Sequence, residues 1–157
     1  MSNKDRLLTE LQNIKKSRKY LFYAHPSVKT NILSNWNCGF PGPDEELYKN
    51  SYYTLIFKFP PTYPFNPPTI MFKNFVYHPN VYKNGHVCLD IIQSKWKPSM
   101  NVMNILTALQ SFLVQPNVKS PANAEAGYLY VKDNKKYCEN VRLNIIKYHT
   151  KYDFDKI

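Results

Sequence analysis

The sequence has 157 residues, 43% of them hydrophobic and 20% charged, a composition that predicts one globular domain over residues 1–157. No apolar run approaches the roughly 18 residues of a membrane-spanning helix, and the polar start MSNKDRLLTELQNIKK does not resemble a secretory leader. Three scattered cysteines, an odd number, argue against a disulfide framework. We therefore predict an intracellular protein, cytoplasmic, nuclear or both, with no membrane association.

The formal net charge of +10 raises the question of a nucleic-acid partner. Lysine and arginine are spread along the whole chain, however, and no segment shows a recognised nucleic-acid motif. A basic surface is equally suited to an acidic protein partner. We rank nucleic-acid binding below protein binding.

The first predicted element is a helix over residues 3–17, in which the apolar residues fall on one stripe, namely Leu7, Leu11 and Ile14. Ser2 and Asp5 have the spacing of a capping box at its start. A regular helix with a polar outer face follows from this pattern.

Strands are predicted next, with Tyr23 on the outer face of the first and further strands in ILSNWNCGF, SYYTLIFKF and TIMF. Period-two alternation places Trp36, Cys38 and Phe40 on one side, so Cys38 is predicted to be a buried core thiol. The polar segment GPDEELYKN supplies a turn. These segments predict a four-stranded antiparallel meander.

The segment PPTYPFNPP, residues 60–68, has five prolines in nine residues, which excludes both a helix and an internal strand. It is either a rigid connector or a preformed docking edge that exposes Phe65. Its Tyr63-Pro64 bond is of the kind that can be cis.

The second half of the sequence predicts helices. A buried one follows Asn101 and ends before Pro116, with apolar positions at Val102, Ile105, Leu106, Leu109 and Leu113. Ser120 and Pro121 have the form of an N-cap and a first-turn proline, opening a helix over PANAEAGYLY, and a last helix starts at about Asn134. The order predicts an α+β fold with a central crossover helix and two C-terminal helices.

The segment YHPNVYKNGHVCLDI places Cys88 between two apolar residues, which is compatible with plain packing or with a nucleophile. A cysteine protease would need a base, for which His78, His86 and Asn80 are nominally available, but no protease signature surrounds Cys88. A metal site made of the two histidines and Cys88 would lack a fourth ligand. Neither alternative is favoured.

From about Leu7 to about Tyr148 the chain resembles the ubiquitin-conjugating enzyme family. Each matching segment is weak alone, but all of them occur in the family's order and spacing. They are FP and YPFNPP at 59–68, HPN at 78–80, GHVCLDI at 85–91, KWKP at 95–98, QPN at 115–117 and SPANAEA at 120–126.

The resemblance implies that Cys88 accepts ubiquitin as a thioester from the activating enzyme and gives it to a substrate lysine or a ligase cysteine. No cofactor or metal is implied at this step, because ATP is used by the activating enzyme. A free cysteine is partly thiolate at neutral pH, so Cys88 needs no histidine partner for transfer from another thioester.

The resemblance also implies roles for the neighbours of Cys88. Asn80 would stabilise the oxyanion, although an asparagine in a turn can also simply bond the backbone. Asp90 and Ser120 match positions where the family guards the approach of the amine. Many relatives have aspartate where this chain has Ser120. Ser120 is also the evident cap of the following helix, and capping alone is the favoured explanation for it. His78, with Pro79, is expected to hold the loop rather than to act as a base.

For the activating enzyme and for ligases of the RING or HECT type, the resemblance places the docking surface on the first helix and on two loops. The specific residues predicted to bind are Lys4, Arg6, Phe65, Lys97 and Pro98.

Two departures from the family pattern are visible. Asn50 and Ser51 stand where paired glycines are common, so this hairpin can differ in shape. Tyr23 occupies a position that is often small in members that bind a second ubiquitin non-covalently, which argues against such binding.

Two alternatives remain besides nucleic-acid binding. LDIIQSKW lacks the insertion of the SUMO-specific relative, so ubiquitin is favoured over a ubiquitin-like modifier. Catalytically silent scaffolds of the family lose the cysteine that this chain keeps.

Overall fold

A computed structural model describes residues 2–155 and confirms the α+β class. Along the chain the elements are α1 (Asn3–Lys15), β1 (Tyr23–Pro26), β2 (Trp36–Pro41), β3 (Tyr52–Lys58), β4 (Thr69–Phe72), α2 (Val102–Val114), α3 (Ala124–Lys132), α4 (Asn134–Tyr148) and α5 (Lys151–Asp155). Within this range no helix has the length and apolarity needed to cross a bilayer. The predicted domain 1–157 also includes Met1, Lys156 and Ile157, which lie outside the described residues.

The four strands form one antiparallel sheet in the order β1-β2-β3-β4, which confirms the predicted meander. Cys38 lies opposite Ala24 on one side and Leu55 on the other, and Leu55 lies opposite Phe72. Because directly paired residues share a face, these four side chains line the inner face of the sheet. Cys38 has no exposed surface, as its period-two position predicted.

Strand β2 begins at Trp36 rather than at Ile32. The residues before it form a loop held by its own polar groups, since Asn31 Oδ1 accepts from the Leu33 backbone N–H at 3.0 Å and Trp36 Nε1 donates to the Ile32 carbonyl at 2.9 Å. Such local side-chain bonds compete with pairing in a sheet.

Helix α1 has Ser2 as its N-cap, as predicted, because Ser2 Oγ accepts from the Asp5 backbone N–H at 3.1 Å. The Asp5 carboxylate accepts from the Ser2 hydroxyl at 2.8 Å. Helix α1 also buries a charged residue that the apolar pattern did not indicate. The Glu10 carboxylate is 4% exposed and accepts from Tyr63 Oη at 2.5 Å, from the Val102 backbone N–H at 2.6 Å and from Arg6 Nε at 2.9 Å. One side chain thus joins α1 to the proline-rich loop and to the start of α2.

The proline-rich loop leaves Phe65 76% exposed and contains a cis Tyr63-Pro64 peptide bond. A residue outside the loop holds it in position, since Trp96 Nε1 donates to the Pro64 carbonyl at 2.9 Å. In the hairpin between β2 and β3, Asn50 has a φ of 62°, a left-handed conformation that asparagine tolerates better than most residues.

The prediction that Ser120 caps α3 is wrong. The helix begins at Ala124, and Asn123 is its N-cap, with Oδ1 accepting from the Ala126 backbone N–H at 3.1 Å. The Asn123 backbone N–H donates to the Pro79 carbonyl at 3.0 Å, which keeps the preceding residues outside the helix. Ser120 is therefore an exposed loop residue.

A third helix, α5, follows the two C-terminal helices that were predicted. Its Phe154 is buried on the outer face of the sheet, at 5.0 Å between ring centroids from Tyr23 and 5.4 Å from Tyr52. Gly39 leaves room for this ring, because an added Cβ would lie 2.7 Å from Phe154 Cε2. A helix of five residues is too short to give a periodic signal.

The cap assignment predicts a difference between two neighbouring alanine variants. Asn123→Ala removes the side-chain acceptor at the start of α3 and should lower the free energy of unfolding by about 1 kcal/mol. Ser120→Ala should stay within about 0.5 kcal/mol of wild type. Urea unfolding followed by tryptophan fluorescence measures both, and a larger loss for Ser120→Ala would contradict the assignment.

Candidate active site

The candidate cysteine lies at the end of a small hairpin that follows β4. Val81 and Val87 form a bridge, and the turn between them contains Gly85 with a φ of 94°. A side chain at this glycine would collide with the Phe72 carbonyl oxygen, so both its conformation and its surroundings require glycine. The hairpin returns the chain to its start, where the Cys88 backbone N–H donates to the Asn80 carbonyl at 2.9 Å.

His78 is fully buried and bonds only to backbone groups through both ring nitrogens. Nδ1 accepts from the Asn80 backbone N–H at 3.0 Å, which places the ring proton on Nε2, and Nε2 donates to the Phe112 carbonyl at 2.9 Å. Burial lowers the pKa of His78 to about 4, against the opposing pull of the nearby backbone carbonyls. With both nitrogens bonded in this way, His78 is not placed as a base for Cys88.

Asn80 is 3% exposed and holds a second loop with its side-chain amide. Oδ1 accepts from the Asn117 backbone N–H at 2.8 Å, and Nδ2 donates to the Asn117 carbonyl at 2.7 Å. Together with the bond from Asn123 to the Pro79 carbonyl, this pair fastens residues 117–123 against the HPN segment.

Cys88 is half-buried and lines an open cleft of about 510 Å³ between the hairpin and α2. Four residues predicted from the resemblance meet at this cleft, namely Cys88, Asn80, Asp90 and Ser120. Apolar side chains also line it, including Leu89, Ile91, Ala108 and Phe112. Cys88 is therefore partly accessible from solvent and has a partly apolar environment.

Asp90 stands at the rim of the cleft in an ion pair. Its Oδ2 is 3.2 Å from Lys95 Nζ, and its backbone carbonyl accepts from the Lys95 N–H at 3.0 Å. Both side chains are more than half exposed, so the pair is open to exchange with other cations.

No group of three histidine, cysteine or acidic residues in positions 2–155 is arranged to hold a metal ion. His86, the second histidine considered for a metal site, is exposed, whereas His78 is buried.

The predicted docking residues differ in exposure. Lys4, Phe65, Lys97 and Pro98 are exposed, whereas the Arg6 side chain is 21% exposed. Arg6 donates to the Pro98 carbonyl at 2.9 Å and to the Met100 carbonyl at 2.5 Å, besides its bond to Glu10. Arg6 therefore ties α1 to the loop that carries Lys97 and Pro98.

Sequence reasoning missed several residues that build the site. Asn117 belongs to the QPN segment that supported the resemblance, but no spacing rule connects it with Asn80. Lys95 and Asn123 were likewise within matching segments without an assigned role. Their partners are known only once the loops are placed in three dimensions.

Comparison with known proteins decides the family. A family model described as Ubiquitin-conjugating enzyme matches residues 6–145, which is most of the chain and includes the whole cleft. The chain belongs to the ubiquitin-conjugating enzyme family. Its α+β fold is thus that of a ubiquitin-conjugating enzyme.

Comparison with individual ubiquitin-conjugating enzymes supports the same family assignment. The enzyme called E2 2 from Debaryomyces hansenii is 37% identical over 139 residues, covering 88% of this chain and 82% of that protein. The E2 2 of Yarrowia lipolytica is 37% identical over 137 residues, covering 87% of this chain and 89% of its own. The E2 domain of a Toxoplasma gondii ubiquitin conjugating enzyme superposes with a TM-score of 0.84 at 28% identity, covering 95% of this chain and 99% of that domain.

The buried histidines of this ubiquitin-conjugating enzyme predict loss of stability in acid. Burial lowers the pKa of His149 to about 4, as it does for His78, from an ordinary 6.5. Between pH 6.5 and 4 the unfolded chain binds two protons that the folded protein does not. The free energy of unfolding should therefore fall with decreasing pH, by up to about 2.7 kcal/mol per pH unit near pH 5, and the two histidines add almost no slope above about pH 8.

His149→Gln isolates one histidine, since the carboxylates titrate alike in both proteins. In urea unfolding series near pH 5, the slope of the variant should be smaller than that of wild type by about 1.3 kcal/mol per pH unit, the share of one histidine. An identical slope in wild type and variant would show that His149 binds its proton equally well in both states.

Proposed function

We propose that Cys88 receives ubiquitin from the ubiquitin-activating enzyme as a thioester and passes it to a substrate lysine or a ligase cysteine. The observation that supports this assignment is the open cleft, which the partly exposed Cys88 lines together with Asn80, Asp90 and Ser120. A thiol sealed beneath the core could not accept a group as large as a protein's C-terminus.

The loading step needs little help from the protein. The Cys88 thiolate attacks the thioester carbonyl on the activating enzyme, the new C–S bond forms, and the activating enzyme's cysteine leaves as a thiolate. A few per cent of an ordinary cysteine is thiolate at pH 7, and exchange between thiolates of similar basicity is close to balanced. This explains why no histidine is required beside Cys88.

Transfer to lysine is more demanding. A lysine with a pKa of about 10.4 has about one free amine in 2,500 at pH 7, a penalty of roughly 4.6 kcal/mol. Apolar groups such as Leu89, Ile91 and Phe112 favour the neutral amine by desolvating it. Asp90 would orient the amine or take its proton, and the incoming lysine would replace Lys95 beside it. Ser120 offers a hydroxyl on the same cleft.

Asn80 would act in two ways. Its pair of bonds to Asn117 fixes the loop that carries Ser120. The amide nitrogen has two hydrogens and uses one of them on the Asn117 carbonyl, so the other remains to donate to the oxyanion that forms when the amine adds.

Exposed groups on one side of the molecule would bind the activating enzyme and ligases of the RING or HECT type. Phe65 is 76% exposed and offers an apolar anchor, with Lys97 and Pro98 on the neighbouring loop and Lys4 on α1. Arg6 contributes by holding the loop of Pro98. We expect no cofactor or metal at the cleft, ATP being used by the activating enzyme, and a location in the cytoplasm, the nucleus or both.

Mutation of Cys88 tests the carrier function. Wild-type protein incubated with ubiquitin-activating enzyme, ATP and ubiquitin should form an adduct that reductant removes on a gel. Cys88→Ala should form no adduct, and Cys88→Ser should form an ester that resists reductant, because oxygen replaces sulfur as the acyl acceptor. Cys138→Ser is the matched control and should load like wild type.

A wild-type protein that forms no adduct would instead support a silent ubiquitin-binding scaffold. An adduct formed only with a ubiquitin-like modifier and its own activating enzyme would identify a different modifier.

Asn80→Ala separates loading from transfer. The variant should still form the thioester but should discharge it to free lysine about 10² to 10³ times more slowly, as for other lost oxyanion donors. Single-turnover discharge measures this rate, and thermal unfolding measures the lost Asn117 bonds in parallel. Asn117→Ala keeps the backbone groups that bond to Asn80 and is the control, expected to discharge at nearly the wild-type rate.

A further inference from the structure

Helix α4 exposes two large aliphatic side chains on its outer side. Leu143 is 65% exposed and Ile146 is 70% exposed, whereas Tyr137, Val141 and Asn144 on the inner side of the helix are buried. Leu143 and Ile146 are three residues apart and therefore neighbours on the helix surface. Single exposed apolar residues are common on proteins, so this pair does not identify a binding site until the charges around it are considered.

Two opposite charges flank Leu143 symmetrically along α4. Glu139 lies four residues before Leu143 and Lys147 four residues after it, and both side chains are exposed. Residues four apart on a helix lie on the same side, about 6 Å apart along the axis. We call these three residues the α4 stripe. Arg142 is also exposed, but it is turned about 100° from Leu143 around the helix and lies at the edge of the stripe.

Neither charge of the α4 stripe has an ionic partner in its own chain. Lys147 Nζ lies 5.2 Å from the centroid of the neighbouring Tyr148 ring, a weak contact at an exposed site. Within residues 2–155 the ion pairs are Arg6 with Glu10, Lys95 with Asp90 and Lys151 with Asp155. Glu139 and Lys147 can therefore pair with groups of another molecule.

The α4 stripe is complementary to a reversed copy of itself. If a second α4 packs against the first in the antiparallel direction, about a two-fold axis at Leu143, the two leucines meet. Glu139 of each copy then lies opposite the partner's Lys147. A parallel arrangement would instead place each charge opposite its own kind, which is unfavourable. The order of charges thus selects a second copy of this chain, in one orientation, as the matching partner.

We propose that α4 is the interface of a two-fold symmetric dimer of this chain, with Leu143 at its centre, Ile146 beside it and two ion pairs between Glu139 and Lys147. One pair of helices buries less surface than a standard interface of about 1,600 Å², so the dissociation constant should be on the order of 10⁻⁵ to 10⁻⁴ M. No residue of α4 lines the Cys88 cleft, so the proposal does not depend on the thioester chemistry.

The formal net charge of +10 acts against association of two copies at low ionic strength. At about 0.15 M salt, exposed charges more than about 8 Å apart are largely screened, and the groups that meet directly have the larger effect. Dimer formation is therefore measured at that ionic strength.

Sedimentation equilibrium of the intact protein, from about 10⁻⁵ to about 5 × 10⁻⁴ M, tests the proposal. Reductant is present throughout, so that no disulfide can link two copies. Wild type should show a reversible equilibrium between monomer and dimer. Leu143→Glu should weaken it at least about tenfold, because two carboxylates then meet at the two-fold axis in place of an apolar contact. A wild-type protein that stays monomeric over this range, or a dimer that Leu143→Glu does not weaken, would overturn the proposal.

Charge reversal tests the antiparallel orientation. Glu139→Lys or Lys147→Glu alone places like charges opposite each other twice in the dimer and should weaken it at least about fivefold. The two substitutions combined keep the net charge of wild type and restore both ion pairs in reversed order. The double variant should therefore have a dissociation constant within about threefold of wild type.

Glu46→Lys and Lys83→Glu are the matched controls, since they change the net charge equally at exposed positions outside α4. Each should dimerise within about threefold of wild type. Thermal unfolding verifies that every variant is folded. A folded double variant as weak as the single ones, or controls that weaken the dimer as much as Glu139→Lys and Lys147→Glu do, would contradict the proposed interface.

Discussion

The position of Cys88 depends on the hydrogen bonds of a buried segment that has almost no regular secondary structure. Backbone N–H and carbonyl groups that leave water must find partners, and a loop cannot satisfy them by a repeating pattern. Here His78 binds one backbone group from each side of its ring, and Asn80 binds both polar groups of Asn117. These two side chains replace a strand partner, and they require an imidazole that stays neutral and an amide that has both a donor and an acceptor.

A second constraint acts at Glu10 of α1. Burying the Glu10 carboxylate is costly in itself, but three donors from Arg6, Tyr63 and the Val102 backbone surround it. Those donors belong to α1, the proline-rich loop and the start of α2. The exposed groups of the two loops, Phe65 and Pro98, are consequently fixed relative to one helix, so a partner meets a preformed surface rather than three independent segments.

Local sequence patterns predicted most of this fold, because the face of a strand, the apolar stripe of a helix and a helix cap each depend on residues close together in sequence. The strand face of Trp36, the stripe of α2 and the Ser2 cap follow from spacing alone and agree with the structure. Ser120 shows where such reasoning fails, since Ser120 and Asn123 are both good caps and the choice depends on a bond to distant Pro79. The cleft residues were predicted from the family resemblance. The hydrogen bonds between Asn80 and Asn117, and helix α5, were not predicted because they depend on contacts between segments far apart in sequence.

Phe154 changes what the outer face of the sheet can do. The ring packs against Tyr23 above Gly39, so the chain itself already covers this part of the outer face. A visiting protein would have to compete with a tethered aromatic group, whose effective concentration is high because it belongs to the same molecule. A partner could reach the part of the sheet beneath Phe154 only by displacing α5, which therefore acts as a built-in competitor.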